Sequence, residues 1–229
     1  MLLSQVFLKY FMKAIKNIIF DFGGVIYDID YEKAINAFKK LGYNDFEHMY
    51  SQAIQNHLFE KLECGSISEN EFKKELLNDR PDINESHIEA AWNAILIGFK
   101  AERIQLLEEI KQHYNIYILS NSNIIHYRVF LKEFQQMTSY LKFDDLFDKV
   151  FYSFDIGCRK PDAEAYEYVL KNAGIVAEES LFIDDSIQNL APAQKLGIQT
   201  LFLDLSKKED MLDLFENAKL KDEVLNRIN

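Results

Sequence analysis

The stretch Asn17-Ile18-Ile19-Phe20-Asp21-Phe22-Gly23-Gly24-Val25 decides the reading of this chain. Asn17 to Phe20 read as a buried parallel strand, which stops at a carboxylate and is followed at once by two glycines. Ligands of open α/β sheets bind at the carboxyl ends of such strands. Glycine lets the backbone turn sharply there and come close to a bound group. Asp21 is therefore expected to point out of the top of a sheet into a site.

The strand pattern of 17–21 recurs at 115–120, 148–153, 180–184 and 199–203. Helical patterns lie between these runs at 102–114, 123–137, 162–174 and 187–197, and Gly174 and Gly197 sit where helix C-termini favour glycine. Strands alternating with helices imply βαβ units, hence an α/β fold with a doubly wound parallel sheet. The segment 31–99 differs, since it carries helical patterns and no convincing strand. It is too long for one crossover helix and reads as a small helical domain placed over the top edge of the sheet. Within it Ser68 and Glu71 have the spacing of a capping box, and Arg80-Pro81 marks a break between helices. Residues 207–229 read as a charged surface helix. The expected division is a core of 13–30 and 100–229, a helical insert of 31–99 and an N-terminal extension of 1–12. Met12 begins a second sensible start, so residues 1–11 are expected to be dispensable.

With 229 residues, of which 48% are apolar, the chain can bury a sizeable core. A net charge of −11 argues against nucleic acid and anionic membrane surfaces as partners, both of which need clustered Lys and Arg. It leaves room for a small anionic substrate held by a metal ion and a few local cations. The two cysteines, Cys64 and Cys158, suggest a reducing compartment. The first residues lack the basic start and small-residue cleavage site of a secretion signal, and no run reaches the ~18 apolar residues of a membrane span. A cytoplasmic protein is expected.

Four of the five strands carry suggestive groups at their carboxyl ends: Asp21, then Ser120-Asn121, then Arg159-Lys160-Pro161-Asp162, then Asp184-Asp185. A parallel sheet would bring all four to one edge. Singly, each has an ordinary explanation as a helix cap or turn. Together and in order they fit the handling of a phosphate with a divalent cation. Mg²⁺ takes one or two carboxylates and keeps waters, and its charge offsets the repulsion of crowded acids. A carboxylate can also act as a nucleophile and form an acyl phosphate. Ser120 offers a hydroxyl at a helix start, where phosphate oxygens are well received, and Lys160 supplies a compact cation. The receiver domains of two-component signalling use similar groups in another order, with the acidic pair first and the Lys last.

The motifs IIFDFGGV, ILSNSN, RKPD and LFIDDSIQN, followed by AQKLG at 193–197, resemble the haloacid dehalogenase-like (HAD) hydrolase superfamily over about residues 13–205. The segments DFGGVIYDID, LSNSN and RKPDAEAY are similar to its branch of glucose-1-phosphate phosphatase-like and epoxide-hydrolase phosphatase-like members. The resemblance implies a Rossmann-like core with an inserted helical cap, and hydrolysis of a small phosphorylated metabolite, such as a sugar phosphate, through an aspartyl-phosphate intermediate. Asp21 would be the nucleophile and a Mg²⁺ ligand, joined by the Gly23 carbonyl and Asp185. Asp184 would act through water or orient the site. Ser120, Asn121, Lys160 and Gly23 would surround the phosphate.

Position 23 departs from the common pattern. Most phosphatases of the superfamily carry there a second Asp that protonates the leaving oxygen, and Gly23 cannot do so. General acid–base help is worth roughly 10²–10⁴-fold. Asp28, Asp30, Glu60 and Glu63 are the candidates to replace it. The alternatives are a protein that binds phosphate compounds with little turnover, and a metal-independent 2-haloacid dehalogenase. For the latter the Asp184-Asp185 pair is an electrostatic mismatch. The five histidines show no metal-ligand spacing and are read as structural; Trp92 and the phenylalanines of the insert are read as its core. Leu62-Glu63-Cys64-Gly65-Ser66 is the loop expected to dip into the site and read the leaving group.

Overall fold

A computed structural model describes residues 14–50, 57–78 and 80–229. The proposed extension 1–12 lies outside the described residues, as does part of the helical pattern around 51–56. Strand β1 (Asn17–Phe20) occupies the centre of a five-stranded sheet. It is flanked by β4 (Asn115–Ser120) and β6 (Ser180–Asp184), with β5 (Lys149–Tyr152) and β7 (Gln199–Phe202) at the edges, and every pairing is parallel. Phe20 stands opposite Ile118 on one side and Ile183 on the other, so the three central strands finish within two residues of one another.

The period of two along each strand divides the core into two layers. Ile18, Phe20, Ile116, Ile118, Leu181 and Ile183 face one layer, which the helices Ala101–Ile110 and Ile124–Met137 cover. Ile19, Tyr117, Leu119, Phe151 and Phe182 face the other, under the helices Ala163–Ala173 and Leu190–Lys195. Fully burying one such side chain stabilises the fold by about 1.5–3 kcal/mol, which is why these strands read as continuous apolar runs. The doubly wound α/β sheet is as the sequence predicts. Gly174 and Gly197 both take positive φ at helix ends, as expected.

The segment between Ile29 and Ile95 builds its own apolar centre from Phe38, Phe46, Phe59, Phe72 and Trp92, all fully buried. Three of its helices begin with side-chain caps. Asp30 caps Tyr31–Lys40, the Ser68–Glu71 capping box starts Glu69–Leu77, and Asn84 caps Glu85–Asn93. The expectation of a segment 31–99 without strands is corrected at its C-terminal end. There β3 (Leu96–Phe99) forms an antiparallel ribbon with β2 (Tyr27–Ile29), which lies just before the segment. Both strands are short and half-buried, too little for a period-two pattern to stand out.

The C-terminal expectation is also corrected. Residues 207–229 form no long helix; they make a 3₁₀ turn at Met211–Leu214, a hairpin pairing Phe215–Glu216 with Lys219–Leu220, and a helix at Asp222–Leu225. Met211, Leu214, Phe215 and Leu220 join the first core layer, so this segment packs rather than lying on the surface. Among the described residues no helix is long and apolar enough to cross a membrane.

Candidate active site

The strand ends β1, β4 and β6, together with the loop after β5, bring Asp21, Ser120, Lys160, Asp184 and Asp185 to one edge of the sheet. All but Asp184 line a common cavity of about 90 Å³. The main chain of Asp21 continues the ladder by one bond, its N–H donating to the Ile183 carbonyl at 2.9 Å. The carboxylate is thereby fixed at the lip of the sheet, and the Phe22 N–H donates to its Oδ1 at 2.6 Å. The chain then folds back, with the Ile26 and Tyr27 N–H groups donating to the Phe22 carbonyl.

Lys160 is the hub of the site. It is 1% exposed, and its Nζ lies 2.7 Å from Asp21 Oδ1 and 2.7 Å from Asp184 Oδ2. Burial alone would lower its pKa, but Asp184 and Asp21 outweigh that and raise it, so the ammonium stays charged. The loop that carries it is clamped by Asn121. The Asn121 amide donates to the Lys160 carbonyl at 2.8 Å, and the Lys160 N–H donates back to Oδ1 at 2.9 Å. Ser153 ties the same loop to Ser122 through two hydrogen bonds.

Asp184 is completely buried and surrounded by donors. Lys160 and Asn189 reach its Oδ2, while Asn189 and the Ser186 N–H reach its Oδ1. Asp185 is more open. Asp21, Asp184 and Asp185 each offer an oxygen within 4.8 Å of the others, a spacing that suits one cation. Burial raises the Asp21 carboxyl to about 7, with Lys160 opposing and Asp184 adding to the rise. Burial, then Asp21 and Asp184, push Asp185 up to about 8. Three acids share one lysine, so the cluster carries an excess of negative charge that a divalent cation would neutralise. The donor set, all hard oxygen, fits Mg²⁺.

Gly23 and Gly24 have distinct constraints. A Cβ at Gly23 would meet Ile29 Cδ1 at 3.0 Å, whereas one at Gly24 would lie 2.6 Å from Asp185 Oδ2, in a backbone with φ +83°. The second glycine is thus the one this geometry requires.

The four acids considered as replacements for the missing Asp separate clearly. Asp28 pairs with Arg103 at 2.7 Å and Asp30 caps a helix; neither lines the cavity, and nor does Glu60. Glu63 does, at 2% exposure. His126 also lines it, but the ring is occupied: Nε2–H donates to the Trp92 carbonyl at 3.2 Å and Nδ1 accepts from the Asn123 amide at 3.1 Å. Burial lowers its pKa to about 4, which keeps it neutral. The structural reading of this histidine therefore stands.

Sequence reasoning assigned no role to Tyr31, Tyr50, Arg159 and Asn189, all of which line the cavity. Asn189 belongs to the LFIDDSIQN stretch and Arg159 precedes Lys160, so both carried a local signal. The tyrosines carried none, because only folding of the insert brings them over the sheet.

The family model for haloacid dehalogenase-like hydrolases matches residues 15–197. A D-ribitol-5-phosphate phosphatase of Bacteroides thetaiotaomicron is 33% identical over 81% of this chain and 90% of its own. A sesquiterpene phosphatase of Aspergillus oryzae is 30% identical over 82% of this chain and 89% of its own. Among solved structures, an alanine mutant of a HAD family enzyme from Bacteroides thetaiotaomicron, in complex with magnesium and inorganic phosphate, is similar with a TM-score of 0.82. It is 32% identical, over 89% of this chain and 100% of that one.

Proposed function

This chain belongs to the haloacid dehalogenase-like hydrolase family, and we propose that it is a Mg²⁺-dependent phosphatase of a small phosphorylated metabolite, a polyol or sugar phosphate. The observation that carries this is the position of Lys160, 2.7 Å from both Asp21 and Asp184 at the strand ends, with Asp185 beside them. Residues 13–30 and 100–229 form the catalytic core, and 31–99 serve as the cap.

Asp21, Asp185 and the Gly23 carbonyl would hold the Mg²⁺, which would supply neutralising charge to the phosphate. Asp184 orients the site, because its oxygens are already taken by Lys160, Asn189 and Ser186. Lys160 and Ser120 receive the phosphate oxygens. The two-way hydrogen bond of Asn121 to the Lys160 main chain gives it the task of positioning that lysine. An oxygen of Asp21 attacks phosphorus, the P–O bond to the substrate breaks, and the leaving oxygen takes a proton from solvent water. Water then attacks the aspartyl phosphate and releases phosphate, restoring the carboxylate. Gly23 offers no proton, so turnover depends steeply on how readily the leaving group departs.

Assay of p-nitrophenyl phosphate and a panel of polyol and sugar phosphates with Mg²⁺ tests this. Activity that D21N abolishes supports it. Mg²⁺-dependent phosphate binding without turnover would replace it with a binding protein, the reading Gly23 favours. Chloride release from a 2-haloacid without metal would overturn both.

A further inference from the structure

The ribbon of β2 and β3, through which the insert leaves and rejoins the core, is tied down by side chains of the core. Arg103 holds the outgoing strand alone. Its Nη1 donates to the Ile26 carbonyl at 3.2 Å and to Asp28 Oδ1 at 2.7 Å. Glu133, on the helix Ile124–Met137, holds both strands. Its Oε2 accepts from the Tyr27 hydroxyl at 2.7 Å, and its Oε1 from the Phe99 N–H at 3.0 Å. Gly98 leaves the carboxylate room, since a Cβ there would stand 3.0 Å from Oε1, on a backbone with φ +150°.

Tyr27 leads from this carboxylate to the site. It is 1% exposed, so its hydroxyl has left water and needs the acceptor that Glu133 provides. Its ring stacks on Phe22 at 5.4 Å and meets Phe99 edge-on at 4.6 Å. Its main chain closes the turn after Asp21. The Tyr27 N–H donates to the Phe22 carbonyl at 2.9 Å, and the Gly24 N–H donates to the Tyr27 carbonyl at 2.8 Å. Gly23 lies between those two bonds and is itself bridged to Tyr27. Neither Tyr27 nor Glu133 lines the cavity.

We propose that Glu133 is a positioning residue. Through Tyr27 it fixes the turn 22–27, and with it the Gly23 carbonyl, and it locks that turn to the strand returning from the insert. Of the three proposed Mg²⁺ ligands, Asp21 and Asp185 follow directly on β1 and β6 and are placed by the sheet. A main-chain carbonyl in a turn is only as well placed as the turn. A carboxylate that accepts two hydrogen bonds holds it more firmly than a neutral acceptor would. This role rests on the phosphatase reading above and extends it to a residue outside the cavity.

The test titrates Mg²⁺ calorimetrically into substrate-free protein, as wild type, E133A, E133Q, Y27F and V169A, and follows p-nitrophenyl phosphate turnover against Mg²⁺ concentration. E133A and Y27F raise the Mg²⁺ Kd about ten-fold, the size typical of groups that orient a metal ligand, and regain most of the wild-type kcat at saturating Mg²⁺. E133Q stays within about three-fold, because its amide oxygen still accepts from Phe99 and its NH₂ donates to the tyrosine oxygen. V169A opens a cavity at a fully buried position in the other core layer, and lowers Tm without moving the Mg²⁺ Kd. Should E133A fail to fold, Y27F, which removes one hydroxyl, decides alone. An Mg²⁺ Kd unchanged in both E133A and Y27F overturns the inference while the phosphatase reading stands. A rise in V169A as large as that in Y27F also overturns it, by tracing the effect to lost stability. A wild type that binds Mg²⁺ but turns over no phosphate ester overturns the phosphatase reading, and the Kd series still decides for or against Glu133. A wild type that neither binds Mg²⁺ nor turns over substrate overturns both.

Discussion

A side chain at Gly24 would lie 2.6 Å from Oδ2 of Asp185, inside van der Waals contact. The turn after β1 and the acidic pair after β6 are therefore fitted to each other, with Gly24 at φ +83°. G24A is expected to cost about 1–3 kcal/mol through the left-handed backbone and the displaced carboxylate. Its Mg²⁺ affinity falls in parallel. Denaturant melts and Mg²⁺ titration check this; an unchanged Mg²⁺ affinity would remove Asp185 from the ligand set.

Removing the nucleophile gives a different signature. D21N keeps the shape of Asp21 and leaves Lys160 with Asp184. Its kcat falls at least about 10³-fold, because an amide in place of the carboxylate cannot form the aspartyl phosphate. The fold remains, as a melting curve would show. Retained turnover in D21N would exclude the covalent route.

Acidity and metal binding are coupled here. Asp21 and Asp185 are raised to about 7 and about 8 from 3.8. A raised carboxyl pKa means that the folded state holds protons the unfolded chain has released, so the associated stability is present below pH 4 and lost as pH rises through 7 to 8. EDTA-treated protein is expected to lose stability over that interval. Mg²⁺ offsets the loss, so its effect on Tm is larger at pH 8.5 than at pH 6. An equal Tm shift at both values would contradict the assignment of the cluster as the cation site.

Gly23 marks where a proton donor is missing. A Cβ there meets only the flexible end of Ile29, 3.0 Å away, so the double variant G23D/I29V should fit. Its kcat on a polyol phosphate is expected to rise by roughly ten-fold or more, with little change on p-nitrophenyl phosphate, whose leaving group needs no proton. No gain on the polyol phosphate would mean that another group already supplies the proton.

Lys160 carries structural as well as chemical weight. K160M leaves Asp21 and Asp184 without their shared cation and is expected to destabilise the fold by about 3–5 kcal/mol at pH 8, and by less at pH 5. A pH-independent loss in denaturant melts would separate the lysine from the acids.

How much could be read in advance follows from how local each signal is. The parallel strands announce themselves because burial on both faces demands uninterrupted apolar residues, as in Ile18-Ile19-Phe20 and Leu181-Phe182-Ile183. The order Asp21, Ser120, Lys160, Asp184-Asp185 was legible for the same reason, since each group ends or follows such a strand. The ribbon of Tyr27–Ile29 with Leu96–Phe99 was not, because a half-buried strand of three or four residues leaves no periodic trace. The C-terminal charges suggested a surface helix, yet Met211, Leu214 and Phe215 were drawn into the core.

The sequence by itself determined the sheet, the chemistry of its carboxyl edge and the absent acid at Gly23. Tertiary structure alone decided which of Asp28, Asp30, Glu60 and Glu63 faces the cavity, and that Arg159 meets Glu63 there. The first set depends on neighbours in the chain and the fixed period of a strand. The second depends on how the helices of the insert pack about Phe59, Phe72 and Trp92, and no local pattern encodes the direction in which that packing turns a side chain.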